Sequence, residues 1–251
     1  MIQVKNSEQV AIMRKAGRIT GEALLKAAEN IREGISTYEL DKIIHDYIVK
    51  SGAKPSFLGY GGFPASACIS LNDEIIHGIP RKDRFLKEGD IVKIDVGAYY
   101  KGFHGDSAKT FGVGNISDEA KRLIDSTKEA FHRGAAKAIA GNRIGDIGAA
   151  IYEYATAQGY GVVRRYVGHG VGHELHEDPE VPNFGTAGRG ARLFPGMTIA
   201  IEPMINQGTF DVREQKDGWT VITADGKLSA HYEHTVLITP EGEPILLTDV
   251  S

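Results

Sequence analysis

The sequence has one cysteine, Cys68, among its 251 residues. No internal disulfide framework can form, and a lone thiol suits a reducing compartment. Nor is there an excess of positive charge: 29 Lys and Arg stand against 33 Asp and Glu, a net charge of −4. That balance argues against a general nucleic-acid or acidic-membrane binder. No apolar run approaches the ~20 residues that span a bilayer. The opening "MIQVKNSEQVAIMRKAG" has no hydrophobic segment of the signal-peptide kind. Low-complexity tracts are missing, and short charged stretches such as Arg81 to Arg84 read as solvated surface. These absences predict a cytoplasmic protein with no membrane and no nucleic acid as substrate. With 41% of its residues apolar, the chain can bury a sizeable core.

Asn6 or Ser7 caps a predicted first helix, with Gln9 at its third position. Val10, Met13, Leu24 and Ala27 give that helix an apolar face. A second helix starts near Thr37 and stops at Gly52, and the strand-like runs "ACISL", "DIVKIDVGAYY" and "FHGDSAKTFGV" follow. Then the pattern restarts. Ser117 caps a helix through residue 140, Gly141 breaks it, and "DIGAAIYEYATAQ" forms another that ends at Gly159. The strands "GVVRRYV", "MTIAIEPM", "GWTVITA" and "KLSAHYEHTVLIT" close the chain, and Asp225-Gly226 predicts a two-residue hairpin between the last two. One offset of 107 residues relates the halves: it carries Gly34 onto Gly141, Tyr47 onto Tyr154, Gly52 onto Gly159, Gly89 onto Gly196, and Asp95 onto Glu202. We read this as two similar units about a pseudo-two-fold axis.

Asp95 and Asp106 lie in what otherwise reads as a β-hairpin, where Asp is disfavoured. If Tyr100 and Lys101 form the loop, the two aspartates face one another directly, with opposed Cβ atoms ~4.5–5.5 Å apart. Val92, Ile94 and Val96 then point to the other face. Two carboxylates so placed repel unless one is protonated or a cation sits between them. Glu202 ends an apolar strand and Glu233 lies within another, with no obvious Lys or Arg strand partner for each. "GHGVGHELHE", residues 168–177, offers imidazoles, but its glycines disfavour a helix and it does not fit the HExxH zinc signature. Four carboxylates and one imidazole suit two hard or borderline divalent ions, held about 3.5–4 Å apart by bridging carboxylates.

The stretches "CISLNDEIIHGIP", "IDVGAYYKGFHGDSAKTF", "GHGVGHELHEDPEVPNFG", "GMTIAIEPM" and "LSAHYEHTVLIT", in this order and spacing, resemble the type I methionine aminopeptidases over essentially the whole chain. The resemblance implies the pita-bread fold, an α/β (α+β) architecture of two pseudo-symmetric halves with helices packed outside a curved antiparallel sheet. It implies one catalytic domain over 1–251, with halves of roughly 1–113 and 114–251. The length resembles the short bacterial form. The family's metal ligands fall on Asp95, Asp106, His169, Glu202 and Glu233. They imply two divalent ions, Mn, Fe, Co or Zn, with a bridging hydroxide as the nucleophile. Glu202 is the implied proton shuttle. His176 is the implied donor to the scissile carbonyl, and His77 the implied contact to the scissile amide. Spacing alone does not choose between His173 and His176. His231 departs from the family, in which Gln is common at that position, and His173 departs where Arg or a small residue is common. Neither is a ligand in the family's pattern.

"FLGYGGFPASAC" resembles the family's wall for the methionine side chain. It gives Phe57, Tyr60, Phe63 and Cys68, with Leu175 and Trp219 closing the pocket. Aromatic edges and a thiol suit a thioether. A monovalent cation is implied near Asn72 and Ser229. The expected partners are the N-termini of nascent polypeptides near the ribosome, cleaved before small second residues by a monomer. Two other readings stand beside this one. One is a Pro-specific aminopeptidase or dipeptidase on the same fold, which usually carries a further N-terminal domain. The other is a non-enzymatic binding module, whose members lose metal ligands.

Overall fold

A computed structural model describes residues 2–240 and 242–250. The first half contains α1 (Ser7–Ala28), α2 (Thr37–Lys50), β1 (Lys54–Pro55), β2 (Ala67–Leu71), β3 (Glu74–Ile76), β4 (Ile91–Tyr100) and β5 (Phe103–Gly112). The second contains α3 (Asp118–Ala135), α4 (Ile144–Ala157), β6 (Gly161–Val162), β7 (Gly168–Gly170), β8 (Glu177–Val181), β9 (Thr198–Ile201) and β10 (Met204–Asn206). It continues with β11 (Val212–Glu214), β12 (Val221–Thr223), β13 (Ser229–His231), β14 (His234–Leu237) and β15 (Ile245–Leu246). The helices begin where side chains satisfy the first free amides. Asn6 with Gln9, and Ser36 with Glu39, form reciprocal capping boxes, and the Ser117 side chain accepts from Ala120 N–H. α4 starts two residues before Asp146, whose carboxylate accepts from Arg143 N–H.

The halves repeat in hydrogen-bond detail. Gly34 N–H donates to Leu86 O and Leu86 N–H to Ile35 O; 107 residues on, Gly141 donates to Leu193 O and Leu193 to Asn142 O. Isolated bridges Ser36–Phe85 and Arg143–Arg192 keep the same offset. Among the described residues every strand pairing is antiparallel, and the strands group into four sheets of 4, 3, 3 and 5. The acidic positions explain part of the division: Glu202 sits between β9 and β10 and Glu233 between β13 and β14, each where a long run is interrupted.

The β4–β5 hairpin differs from the expected register by two residues. Tyr100 pairs with Phe103, Asp95 with Ala108, and Gly97 with Asp106. The loop is Lys101–Gly102 because both have positive φ, 47° and 91°, as the tightest hairpin turn requires. A two-residue shift leaves every side chain on its face. Asp95 and Asp106 are therefore diagonal neighbours on one face, while Val92, Ile94 and Val96 pack into the core with Ile19, Leu24 and Ile44. α1 lies directly on the hairpin's back: a Cβ on Gly105 would stand 2.8 Å from the Gly17 backbone. Asp225-Gly226 turns the chain, but β12 pairs with β11 and β3 while β13 pairs with β10, so no hairpin joins β12 to β13.

β5 also joins the halves. Ala108 and Glu233 exchange backbone hydrogen bonds, Thr110 and His231 are linked through the Thr110 hydroxyl, and the Thr235 hydroxyl donates to Asp106 O. These bonds bring Asp106 beside Glu233. No helix among the described residues is long and apolar enough to cross a membrane.

A candidate metal centre and its cleft

A cleft of about 170 Å³ opens where the halves meet. Its acid side is formed by Asp95 on β4, Asp106 on β5, Glu202 after β9, Glu233 before β14 and His169 on β7. The His169 Nδ1 stands 2.9 Å from Gly170 O. A carbonyl only accepts, so Nδ1 carries the proton and Nε2 presents its lone pair. That Nε2 is 3.7 Å from an Asp106 oxygen and 3.5 Å from a Glu202 oxygen. Burial, then the neighbouring His176, pushes His169 down to about 3, so these contacts are not ion pairs at neutral pH.

The four carboxyls are pushed the other way. Desolvation comes first for all of them, and mutual repulsion adds to it at Asp95, Glu202 and Glu233. Asp95 Oδ1, Asp106 Oδ1 and Glu233 Oε1 are buried without a hydrogen-bond partner among the described residues. Unpaired buried acceptors are costly. Divalent cations remove the repulsion and satisfy the acceptors together. Ligand atoms of Asp106, His169 and Glu233 lie within 4.8 Å of one another, as do those of Glu202, His231 and Glu233. The oxygen-rich, thiolate-free donor set fits a hard or borderline divalent ion.

His231, a departure in the sequence, thus stands against the site. Its Nε2 is 3.7 Å from Glu202 and 3.9 Å from Glu233. Burial, then His77 and Lys93, lowers it to about 3.

The opposite side of the cleft is apolar. Phe57, Phe63, Cys68 and Leu175 form one buried cluster with Trp219 against it, and Phe63 meets Trp219 edge-on at 5.1 Å. Cys68 pairs with Asp95 across β2 and β4. Burial, then Asp95, pushes its thiol up, so it serves as wall rather than nucleophile. His77 holds φ 59°, rare for a residue with a side chain, and its ring lies edge-on to Tyr166 and Trp219. Burial, then His176, lowers it to about 4. Ile79 and Tyr166 also pack here, against the wall and against His77, and no sequence periodicity announced them.

The two loop histidines separate. His176 lines the cleft, its ring 4.1 Å from that of His169, and partial desolvation holds it below the usual imidazole range. His173 is exposed, donates to Gly102 O at the hairpin tip and lies over Phe103.

A lysine reaches the expected monovalent site. Lys93 Nζ donates to Asn72 O at 2.7 Å and to Ser229 O at 3.0 Å. The tethered Lys93 amine stands where the resemblance implied an ion. Lys93 is 1% exposed, and burial lowers it to about 7. The lysine inside "DIVKIDV" was the available signal.

The chain matches the model of "Metallopeptidase family M24" over residues 11–240. It is 56% identical to a methionine aminopeptidase of Clostridium perfringens, covering 98% of each chain. It superposes on the crystal structure of a methionine aminopeptidase from Thermotoga maritima with a TM-score of 0.97 at 42% identity, covering 99% of this chain and 100% of that one. A prolidase from Pyrococcus furiosus gives 0.81 at 27% identity, covering 99% of this chain and 66% of that one.

Proposed function

The chain belongs to metallopeptidase family M24, and we propose that it removes the N-terminal methionine from polypeptides using two divalent ions held by Asp95, Asp106, His169, Glu202 and Glu233. One observation carries this reading: a single cleft sets desolvated carboxylates and the His169 Nε2 lone pair opposite an apolar wall. When bound, the ions lower the pKa of a water and polarise the substrate carbonyl.

The protein's own groups do the rest. Phe57, Tyr60, Phe63, Cys68, Leu175 and Trp219 take the methionine side chain, whose sulfur gains from aromatic edges. Glu202, its carboxylate reaching into the cleft, takes the proton from water and passes it to the leaving amine. His176 donates to the carbonyl oxygen as negative charge develops there, and being neutral it holds one ring proton for that bond. His77 contacts the scissile amide from the other wall. The substrates are N-termini of nascent chains with a small second residue, met by a cytoplasmic monomer near the ribosome. Lys93 donates to both Asn72 O and Ser229 O.

Cleavage of a Met-Ala-Ser peptide tests the reading. Chelation should abolish it, and adding back Mn, Co, Fe(II) or Zn singly should restore it. An Ala-Pro peptide should remain uncut. Activity that survives exhaustive stripping, or preference for Ala-Pro, would overturn the assignment.

A further inference from the structure

Tyr60 has a relation to the cleft that its place in the apolar wall does not explain. Its hydroxyl is 2.7 Å from His176 Nδ1, with the rings 5.2 Å apart and tilted by 49°. The tyrosine is 43% exposed, so burial of its ring is not what holds it. It sits in the loop 58–63, closed on itself by the Gly59 N–H to Phe63 O bond, with Gly59, Gly61 and Gly62 all at positive φ. Its backbone adds Tyr60 N–H to Phe57 O, Gly62 N–H to Gly59 O and Phe63 N–H to Tyr60 O. The side-chain bond to His176 ties its tip to the far wall.

We propose that Tyr60 is a positioning residue that fixes the tautomer of His176. This rests on the donor role given to His176 above. A neutral imidazole carries one proton; a hydroxyl can donate to Nδ1 or accept from it, and the acidic lining that faces Nε2 selects the first. If the Tyr60 hydroxyl donates to Nδ1, the proton must stay on Nε2, the ring's remaining polar atom. The opposite tautomer would present a lone pair at Nε2 in a cleft lined by Asp106, Glu202 and Glu233, and could not donate to a carbonyl oxygen. The phenol is protonated at neutral pH, a tyrosine hydroxyl ordinarily titrating at about 10. Substrate side chain and imidazole are thereby read by one residue: the ring of Tyr60 lines the pocket while its hydroxyl orients the donor.

Tyr60→Phe keeps the ring and removes the hydroxyl. Losing one neutral hydrogen bond predicts a kcat about 3- to 10-fold lower on Met-Ala-Ser, with KM within about 2-fold because the wall is intact. Two further readouts separate this from a structural role. In the zinc-loaded protein with ¹⁵N-labelled histidine, the His176 signal should show Nε2 protonated, and Tyr60→Phe should shift it toward a mixture of tautomers. In a His176→Ala background, Tyr60→Phe should cost nothing more. An unchanged tautomer, or an equal loss in both backgrounds, would overturn the proposal while leaving the donor role intact. Full activity in His176→Ala alone would overturn the donor role, and the proposal with it.

Discussion

His173 and His176 stand three residues apart and face different neighbours, one the hairpin tip and the other the cleft. His176→Ala should keep its metal content and fold while kcat falls by about 10²–10³, the worth of one oxyanion donor. His173→Ala should stay within about 3-fold of the parent, since exposed side chains rarely contribute ~0.5 kcal/mol or more. Steady-state kinetics with metal analysis on both variants decides, and a crippled His173→Ala would reverse the roles. Lys93 makes a second test at this scale. Lys93→Met removes the buried partner of Ser229 O and leaves Asn72 O with the Ser229 N–H alone, and should cost about 1–3 kcal/mol in urea unfolding. The parent should melt at the same temperature when choline replaces sodium and potassium at constant ionic strength. A large drop in choline would mean that a free monovalent ion is part of the site after all.

The elements were legible where local chemistry decides them. The caps at Asn6, Ser36 and Ser117 are satisfied within three residues of sequence, so these helices start where a capping side chain stands. The hairpin could be read to the correct face but not the correct register. Apolar alternation fixes the face, whereas register depends on which two residues accept positive φ. Gly102, at φ 91°, decides it, and Gly102→Ala should cost about 1 kcal/mol in chemical denaturation without altering metal content. A neutral substitution would mean that the turn lies elsewhere. Asp225-Gly226 misled for a related reason: a tight turn says nothing about whether its flanking strands pair, and here they leave for different sheets. The acids of the site stood out because Asp and Glu are rare in apolar strands. Lys93 and Tyr166 did not, because their partners are distant in sequence and meet them only in the fold.

Across the whole molecule, the two halves converge on carboxyls that neither could hold alone. In the protein stripped of ions all four are raised above their ordinary range, chiefly by desolvation. The folded state therefore keeps protons that the unfolded chain has released. Stability from these groups is present below the ordinary carboxyl range and is lost as pH rises toward neutrality. Divalent ions take the place of those protons, more easily the higher the pH. The gain in melting temperature from a fixed Mn²⁺ concentration should thus be larger at about pH 7.5 than at about pH 5.5. An equal gain, or a larger one at the lower pH, would show that the carboxyls are not exchanging protons for metal. The most direct test of the account is anomalous X-ray scattering from crystals of the Mn²⁺-loaded protein. The account predicts two peaks, about 3.5–4 Å apart, with Asp95, Asp106, His169, Glu202 and Glu233 as their protein ligands. A single peak, or peaks ligated by other residues, would contradict it.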